Sequence, residues 1–260
     1  MKRSHQTFGR LILLLALLTC PVDLYANYSF PIGEKAVYSI HWGLITCGTT
    51  TILCDEVDHE GRTLIRIRIQ AKGNWLVSTV YPVDDTVDCF IDPETNRSLR
   101  LEKNTSEGGF VCKDILVFDR QNHTAQWDSQ SLNISTNYPV KADTCDAVSF
   151  LYAFRQFEFM QGQSREFDLA VDAALHGITV TAGELEKKSI GEQGKLTCQK
   201  FTITPKRDDL FVRKIPKTIW ITADDRKILA KMVVKVPVGN IRIKLEEYHP
   251  PSKQNANKND

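Results

Sequence analysis

The sequence TLIRIRIQAK, residues 63–72, decides the fold class of this chain. Its apolar side chains alternate with arginine, glutamine and lysine, so an extended backbone here has one apolar and one polar face. This period of two residues predicts a β-strand that buries one face and exposes the other to water. The apolar positions are Ile65, Ile67, Ile69 and Ala71, and the polar positions are Arg66, Arg68, Gln70 and Lys72.

The same alternation returns later in the chain and predicts a long antiparallel meander. It occurs in TIWITADDRKILAKMVVKV, residues 218–236, on both sides of an Asp-Asp turn, and in NIRIKLEEY, residues 240–248. Between residues 88 and 127 the turn-forming sequences DPETN, SEGG and DRQN separate further short strands. We therefore expect a mainly β fold in which the meander curls into an open or half barrel. A two-sheet β-sandwich is the alternative.

One segment departs from the period of two. In DTCDAVSFLYAFRQFEF, residues 143–159, the side chains of Val148, Leu151 and Phe154 fall on one helical face. The sequence predicts one central α-helix near residues 144–157, with Asp143 or Thr144 as its N-terminal cap. A curved sheet wrapped about that helix would bury the apolar faces of its strands and leave few exposed edges.

The N-terminal residues predict an export signal. Basic residues precede the apolar run 11–18, and a short polar stretch follows it. This layout is typical of a secretory signal peptide over residues 1–26, with cleavage between Ala26 and Asn27. The alternative is a lipoprotein signal in which Cys20 is acylated.

The mature chain is predicted to be one exported domain. Residues 27–249 contain no repeat and no Gly/Ser linker, whereas residues 250–260 are expected to be a disordered tail. The formal net charge of +1 gives no overall field that would attract nucleic acid. No apolar run of the mature chain is long enough for a transmembrane anchor. We expect the periplasm or cell envelope of a bacterium, with attachment to the outer membrane in the lipoprotein alternative.

Export would permit disulfides among the six cysteines that follow the leader. If Cys47 and Cys54 share one strand, they lie about 23 Å apart, because each residue adds about 3.3 Å. Cys89 and Cys112, on alternate strands of a meander, would lie about 9–10 Å apart, and both distances exceed the reach of a disulfide. Several cysteines could instead be small core residues, and the connectivity stays open. The six are Cys47, Cys54, Cys89, Cys112, Cys145 and Cys198.

Catalytic and metal-binding motifs are not found in the sequence. No cysteine pair has the Cys-x-x-Cys spacing, so neither a metal nor another cofactor is predicted. The pairs Asp84–Asp85 and Asp224–Asp225 are interpreted as solvated turns, because adjacent side chains point apart. His41 is adjacent to Trp42, but strand alternation puts the two on opposite faces.

No catalytic residue is therefore assigned, and the ligand-binding residues stay unknown. The enzymatic alternative is a hydrolase with a dispersed site that joins His41 to an acid of the Asp84–Asp85 segment.

Four segments carry a family resemblance. Residues 30–52 lead from Pro-x-Gly-Glu into an aromatic-rich strand, residues 90–110 place an Asp before a strand, residues 146–155 begin a helix with Asp-x-x-Ser, and residues 219–248 form a closing hairpin. Together they resemble the DUF3108 domain family of uncharacterised bacterial exported proteins. The resemblance implies a single exported β-rich domain and supplies no catalytic residue. The matching positions include Pro31, Gly33, Glu34, Tyr38, Trp42, Gly48, Asp92, Asp146, Ser149 and Arg155.

These features favour a non-enzymatic binding or assembly module of the cell envelope. Its curved sheet would hold an apolar ligand such as a lipid, or support assembly with a lipoprotein or another envelope protein. A purely structural, lipid-anchored scaffold is a further alternative. The concave face tests the ligand version, because a face filled by the protein's own helix has no room for a ligand.

Overall fold

The computed structural model describes residues 29–206, 215–236 and 239–251. The predicted leader, with Cys20, Ala26 and Asn27, lies outside these residues, as does most of the predicted tail. The division into a leader, one domain and a tail stays a prediction.

Fifteen strands form one sheet in the described part of the chain. They are β1 (Lys35–Trp42), β2 (Ile45–His59), β3 (Arg62–Gly73), β4 (Asp84–Ile91), β5 (Ser98–Glu107), β6 (Phe110–Asp119), β7 (Thr124–Ser129), β8 (Ile134–Pro139), β9 (Cys145–Asp146), β10 (Ser164–Val171), β11 (Ala174–Ile190), β12 (Gly194–Pro205), β13 (Pro216–Thr222), β14 (Leu229–Val236) and β15 (Gly239–His249). The helices are α1 (Trp75–Ser78), α2 (Ala147–Ala153) and the short 3-10 segments Phe154–Gln156 and Gly191–Gln193.

The sheet consists of two meanders that meet at β1. The strand order is β8 to β1, followed by β15 back to β9, so the first and last strands of the chain are neighbours. All neighbouring pairs are antiparallel except β9 and β10. The edge strands β8 and β9 are not paired with each other, so the sheet is open. The predicted long meander is confirmed, and one continuous sheet replaces the β-sandwich alternative.

The central helix begins later than predicted. Cys145 and Asp146 form β9 by pairing with Leu169 and Ala170, which takes them out of the helix. Asp146 is therefore the N-terminal cap of α2, and the prediction of Asp143 or Thr144 as the cap was wrong. After Ala153 the chain tightens into the 3-10 segment, so the helical stretch is shorter than residues 144–157.

Helix α2 packs against both meanders and lies inside the curve of the sheet. Phe150 and Phe154 join a core formed with β10 to β14, where the Phe154 and Phe201 rings meet edge to face with centroids 4.6 Å apart. Val148 and Tyr152 join a second core that includes residues of β1 to β4 together with residues of β11 to β15. Phe30 stacks on Tyr152, which ties the start of the described chain to the helix. Both meanders of the open sheet therefore curve around this helix.

Two glycines allow the sheet to curl tightly. Gly191, with φ of +35°, lies against the backbone of Glu246 in β15, where no Cβ would fit. The end of β11 therefore packs directly on β15. Gly48 in β2 likewise faces the carbonyl of Lys72 in β3 without room for a Cβ. Close backbone approach of this kind is a use that only glycine allows.

The six described cysteines are free thiols. Cys47 and Cys54 lie on one strand, β2, and Cys89 and Cys112 lie on β4 and β6 with β5 between them, as the sequence predicted. All except Cys47 are buried, which fits the role of small core residues.

Candidate functional site

The concave face of the sheet is occupied by helix α2. Between the helix and strands β1 to β3 the remaining space measures about 10 Å³, beside Tyr38, Ile52 and Val148. A volume of this size accommodates no more than one water molecule. An apolar ligand on this part of the face would have to displace the helix.

A buried ion pair fastens the C-terminal end of the helical segment to the start of β1. Arg155 donates to both carboxylate oxygens of Glu34, over 2.7 and 2.8 Å, and both side chains are less than a tenth exposed. The hydroxyl of Tyr248 in β15 donates to the same carboxylate over 3.0 Å. Burial, followed by the nearby Glu34 carboxylate, raises the pKa of Tyr248. The carboxylate is thus satisfied by three donors from two distant parts of the chain.

A second polar cluster holds the N-terminal end of α2. Asp146 is fully buried and accepts from the backbone N–H groups of Val148 and Ser149. Its other oxygen accepts from the Ser149 hydroxyl over 2.7 Å and from the Cys89 thiol over 3.3 Å. Burial, followed by the Asp146 charge, raises the pKa of Cys89, so this thiol is a poor nucleophile. The cluster positions the helix and supplies no reactive group.

The proposed hydrolase pair is not assembled. His41 on β1 pairs with Arg242 of β15, whereas Asp85 lies at the start of β4. Three strand spacings separate β1 from β4, which places them about 14 Å apart. The described structure therefore does not bring His41 together with an acid of the Asp84–Asp85 segment.

His41 has neighbours that resemble a serine hydrolase set but differ in their hydrogen bonds. Its Nε2 lies 2.8 Å from Ser39 Oγ, and its Nδ1 lies 3.2 Å from Thr46 Oγ1. The Ser39 hydroxyl donates to the Glu246 carboxylate on the neighbouring strand. Burial, followed by the nearby Lys244 and Arg242 charges, lowers the pKa of His41. The serine hydroxyl is thus paired with a carboxylate, which differs from a nucleophile whose hydroxyl is paired with its base.

The other carboxylate pair is the turn that the sequence predicted. Asp224 and Asp225 connect β13 to β14, and Asp224 accepts from the Thr222 hydroxyl and from the Arg226 guanidinium. Among the described residues, no group of three or more His, Cys, Asp or Glu side chains is placed to hold a metal ion. None of the helices in this part of the chain has the length and apolar composition needed to cross a membrane.

Asp85 gives the protein a testable pH dependence. Its carboxylate accepts from Ser106 N–H over 2.9 Å, and burial, followed by a hydrogen bond with Glu107, raises its pKa from 3.8 to about 6. The native state therefore binds this proton more tightly than the unfolded state, so ionisation of Asp85 lowers stability as the pH rises from about 4 to about 6. We expect Asp85→Asn to gain stability relative to wild type over that interval, measured by urea unfolding at a series of pH values. A difference that does not change with pH would contradict this.

The exposed apolar side chains concentrate at one end of the sheet. Antiparallel strands place the turns β1–β2, β3–β4, β5–β6 and β7–β8 at a common end, here called the upper end. Eleven of the fourteen exposed large apolar residues of the described chain lie in or beside these four turns. We call them the apolar rim: Trp42, Leu44, Ile45, Trp75, Leu76, Val80, Tyr81, Phe110, Val111, Leu132 and Ile134.

Hydrogen bonds between neighbouring turns hold the apolar rim in place. The backbone N–H of Asn74 donates to the Cys47 carbonyl, which ties the β3–β4 connection to β2. Gly108 N–H donates to the Pro82 carbonyl over 2.8 Å, and Tyr81 packs on Gly108. The Ser131 hydroxyl donates to the Val111 carbonyl over 3.0 Å, which ties the β7–β8 turn to β6. The four turns are therefore one connected surface.

A cleft of about 530 Å³ opens at the other, lower end of the sheet. Phe30, Ile32 and Tyr248 form part of its wall. The charged side chains that line it include Arg155, paired with Glu34, and Lys227, which lies 2.9 Å from Glu158. Asp225 and Arg226 also line the cleft, and Arg226 is paired with Asp224.

Sequence reasoning missed the apolar rim, although a signal for it is present. Residues 42–54, 74–83, 108–112 and 129–140 contain no Asp, Glu, Lys or Arg, in a chain of which such residues make up 25%. The turns at the lower end read DHEGR, DPETNR, DRQNH and DDRK, and each is rich in charge. Comparison of alternate turns along β1 to β8 would have shown that the two ends of these strands differ in charge.

Comparisons with known proteins agree with this architecture. A family model described as "Protein of unknown function (DUF3108)" matches residues 37–246. Among solved structures, the crystal structure of a beta-barrel-like protein of domain of unknown function DUF1849 from Brucella abortus is similar, with a TM-score of 0.55 and 12% identity. The match covers 84% of this chain and 98% of that chain. At this identity the likeness concerns the fold alone. The search of curated proteins gave no match.

Proposed function

The chain belongs to the DUF3108 family, and we propose that it is an exported cell-envelope protein that acts as a non-enzymatic docking module through its apolar rim. The predicted signal peptide supports export. The apolar rim carries the proposal, because eleven of the fourteen exposed large apolar side chains of the described residues lie at that end. Concentrated exposed apolar surface is typical of an interaction site.

The interior supports a docking role rather than a carrier role. Helix α2 fills the concave face and is fixed at both ends by buried polar groups, Asp146 at its start and Arg155 just after its end. Uptake of a lipid between helix and sheet would have to break these contacts. Docking through the upper end leaves the interior unchanged.

Fractionation of the cell envelope tests the proposal without knowledge of the partner. We expect wild-type protein to sediment with the envelope, and the variant Leu44→Ser/Trp75→Ser/Val80→Ser to move largely into the soluble fraction. These three side chains are at least four-fifths exposed, so their replacement should leave the fold intact. Immunoblots of both fractions measure the distribution.

The matched control replaces exposed apolar residues elsewhere. Met160→Ser/Leu185→Ser removes two such side chains that lie outside the apolar rim, and it should sediment like wild type. Equal distribution of the rim variant and the control would refute the docking role.

A further inference from the structure

The most exposed side chains of the apolar rim protrude from the surface, although Trp42 and Leu44 also border an open cleft beside Gly239 and Arg242. Leu44 is 99% exposed, Val80 87% and Trp75 81%. Trp75 and Val80 in particular present protruding side chains rather than a groove for a helix or an extended peptide. Protruding apolar side chains of this kind can insert into an apolar partner.

The turns that carry these side chains have no charge of their own. Residues 74–83, NWLVSTVYPV, join β3 to β4 without an Asp, Glu, Lys or Arg, and residues 42–46 and 108–111 are equally free of them. Charged residues, by contrast, lie in the turns of the opposite end, such as residues 224–227, DDRK. The two ends of strands β1 to β8 therefore differ in charge, whereas the β12–β13 connection at the same upper end, residues 206–215, is rich in charge. An uncharged edge of the kind formed by the four rim turns is suited to contact with an apolar phase.

The apolar rim contains residue types that are enriched at membrane–water interfaces. Trp42, Trp75 and Tyr81 combine apolar rings with a polar N–H or O–H, and such residues are enriched at the level of lipid head groups. Leu44 and Val80 at the turns supply aliphatic groups for the acyl region. Two successive upper turns are separated by two strand spacings, about 9–10 Å, so the four turns span about 29 Å along the edge of the sheet. This is broad enough for several independent points of insertion.

Several backbone groups of the apolar rim are already hydrogen-bonded within the protein, as a lipid environment requires. Asn74 caps α1 by accepting from Val77 N–H, and its amide donates to the Thr46 carbonyl. The bonds between neighbouring turns satisfy further backbone groups, including the Pro82 and Val111 carbonyls. Unpaired backbone groups are costly at the edge of a bilayer, so these bonds favour insertion of the intact turns.

We propose that the apolar rim inserts into the interfacial layer of a lipid bilayer and that it recognises the bilayer without a requirement for anionic lipid. This inference rests on the docking role proposed above and names its partner as a lipid surface. Since the turns carry no net charge, hydrophobic insertion supplies the affinity, and the affinity should change little with salt.

Vesicle flotation with the purified mature chain tests the proposal. We expect wild-type protein to float with vesicles of phosphatidylcholine and phosphatidylethanolamine, equally at about 0.05 M and about 0.5 M salt. Leu44→Ser/Trp75→Ser/Val80→Ser should bind at least about 100-fold more weakly, since each large apolar side chain contributes about tenfold or more to partitioning. Met160→Ser/Leu185→Ser should float like wild type. Circular dichroism and urea unfolding confirm that both variants are folded; if the triple variant is not, Leu44→Ser alone replaces it.

Tryptophan quenching locates the inserted part. Trp42 and Trp75 lie in the rim, whereas Trp127 and Trp220 are buried. Brominated lipids should quench part of the fluorescence of wild type and much less of Trp42→Phe/Trp75→Phe.

Several outcomes would overturn the proposal: no flotation, flotation only with anionic vesicles at low salt, or equal binding by the rim variant. If vesicles do not bind but envelope fractionation still depends on the rim, the partner is a protein and the docking role survives. If the rim instead mediates self-association in sedimentation experiments without lipid, a second copy of the chain covers it. If neither vesicles nor fractionation depends on the rim, both proposals fail.

Discussion

Arg155→Met is expected to lower the free energy of unfolding by about 3–5 kcal/mol, a large share of the stability of a typical domain. The substitution leaves the Glu34 carboxylate buried without its guanidinium partner. Of the hydrogen-bond donors described above, the Tyr248 hydroxyl remains. A buried charge without its counter-charge costs far more than an exposed one. Urea unfolding followed by circular dichroism measures the loss as a shift in midpoint at unchanged slope.

Two further variants separate loss of the pair from loss of packing. Lys206→Met removes one partner of an exposed pair, with Glu166 at 2.7 Å, and should cost at most about 1 kcal/mol. Glu34→Gln/Arg155→Met removes both charges and should be more stable than Arg155→Met alone, since no isolated charge remains. If the double variant is less stable than Arg155→Met, the ion pair is not what fastens the helical segment. Arg155→Lys serves where Arg155→Met does not fold.

The fold class could be predicted because strand alternation is a local signal. Ile65, Ile67 and Ile69 show it within one strand, and the turn-forming sequences mark where strands end. The order of the strands could not be predicted in the same way. The pairing of β1 with β15 joins residues about two hundred positions apart, and no local period encodes such a contact.

At the start of α2, the pairing of β9 with β10 decides which of several possible caps is used. Asp143, Thr144 and Asp146 are all competent caps. The pairing of Cys145 and Asp146 with β10 selects the last of them, and β10 comes later in the chain. The residues around the helix are therefore not sufficient to predict which of the three caps is used.

The buried ion pair and the apolar rim differ in how far the sequence predicts them. Glu34 and Arg155 are 121 residues apart, and only the family resemblance marked both positions before the structure showed them in contact. The rim, in contrast, corresponds to a local signal, because the four turns that carry it contain no charged residue. The apolar rim was therefore more predictable than the ion pair, although it is recognised only when alternate turns of β1 to β8 are grouped by the topology.

Asp146→Ala is expected to cost about 2–4 kcal/mol, because it removes the cap of a buried helix and leaves several donors without an acceptor. In wild type the carboxylate accepts from Val148 and Ser149 N–H groups, from the Ser149 hydroxyl and from the Cys89 thiol. Asp146→Asn keeps the acceptor for the two N–H groups and should lose less stability. Asp143→Ala, at one of the two cap positions that the sequence predicted, should cost less than Asp146→Ala, because Asp143 does not cap the helix. Urea unfolding ranks the three variants.

Thiol alkylation gives a second readout for Asp146→Ala that reports on the helix itself. Cys89 is completely buried behind the start of α2, so it should resist iodoacetamide in wild type and in Asp143→Ala. Loss of the cap should allow α2 to open locally and expose Cys89 to alkylation, as mapped by peptide mass spectrometry. Cys198 on β12, also fully buried, should stay protected unless the whole domain unfolds. If both cysteines react together, the helix and the sheet unfold as one unit, and Asp146 stabilises the domain as a whole and not the helix alone.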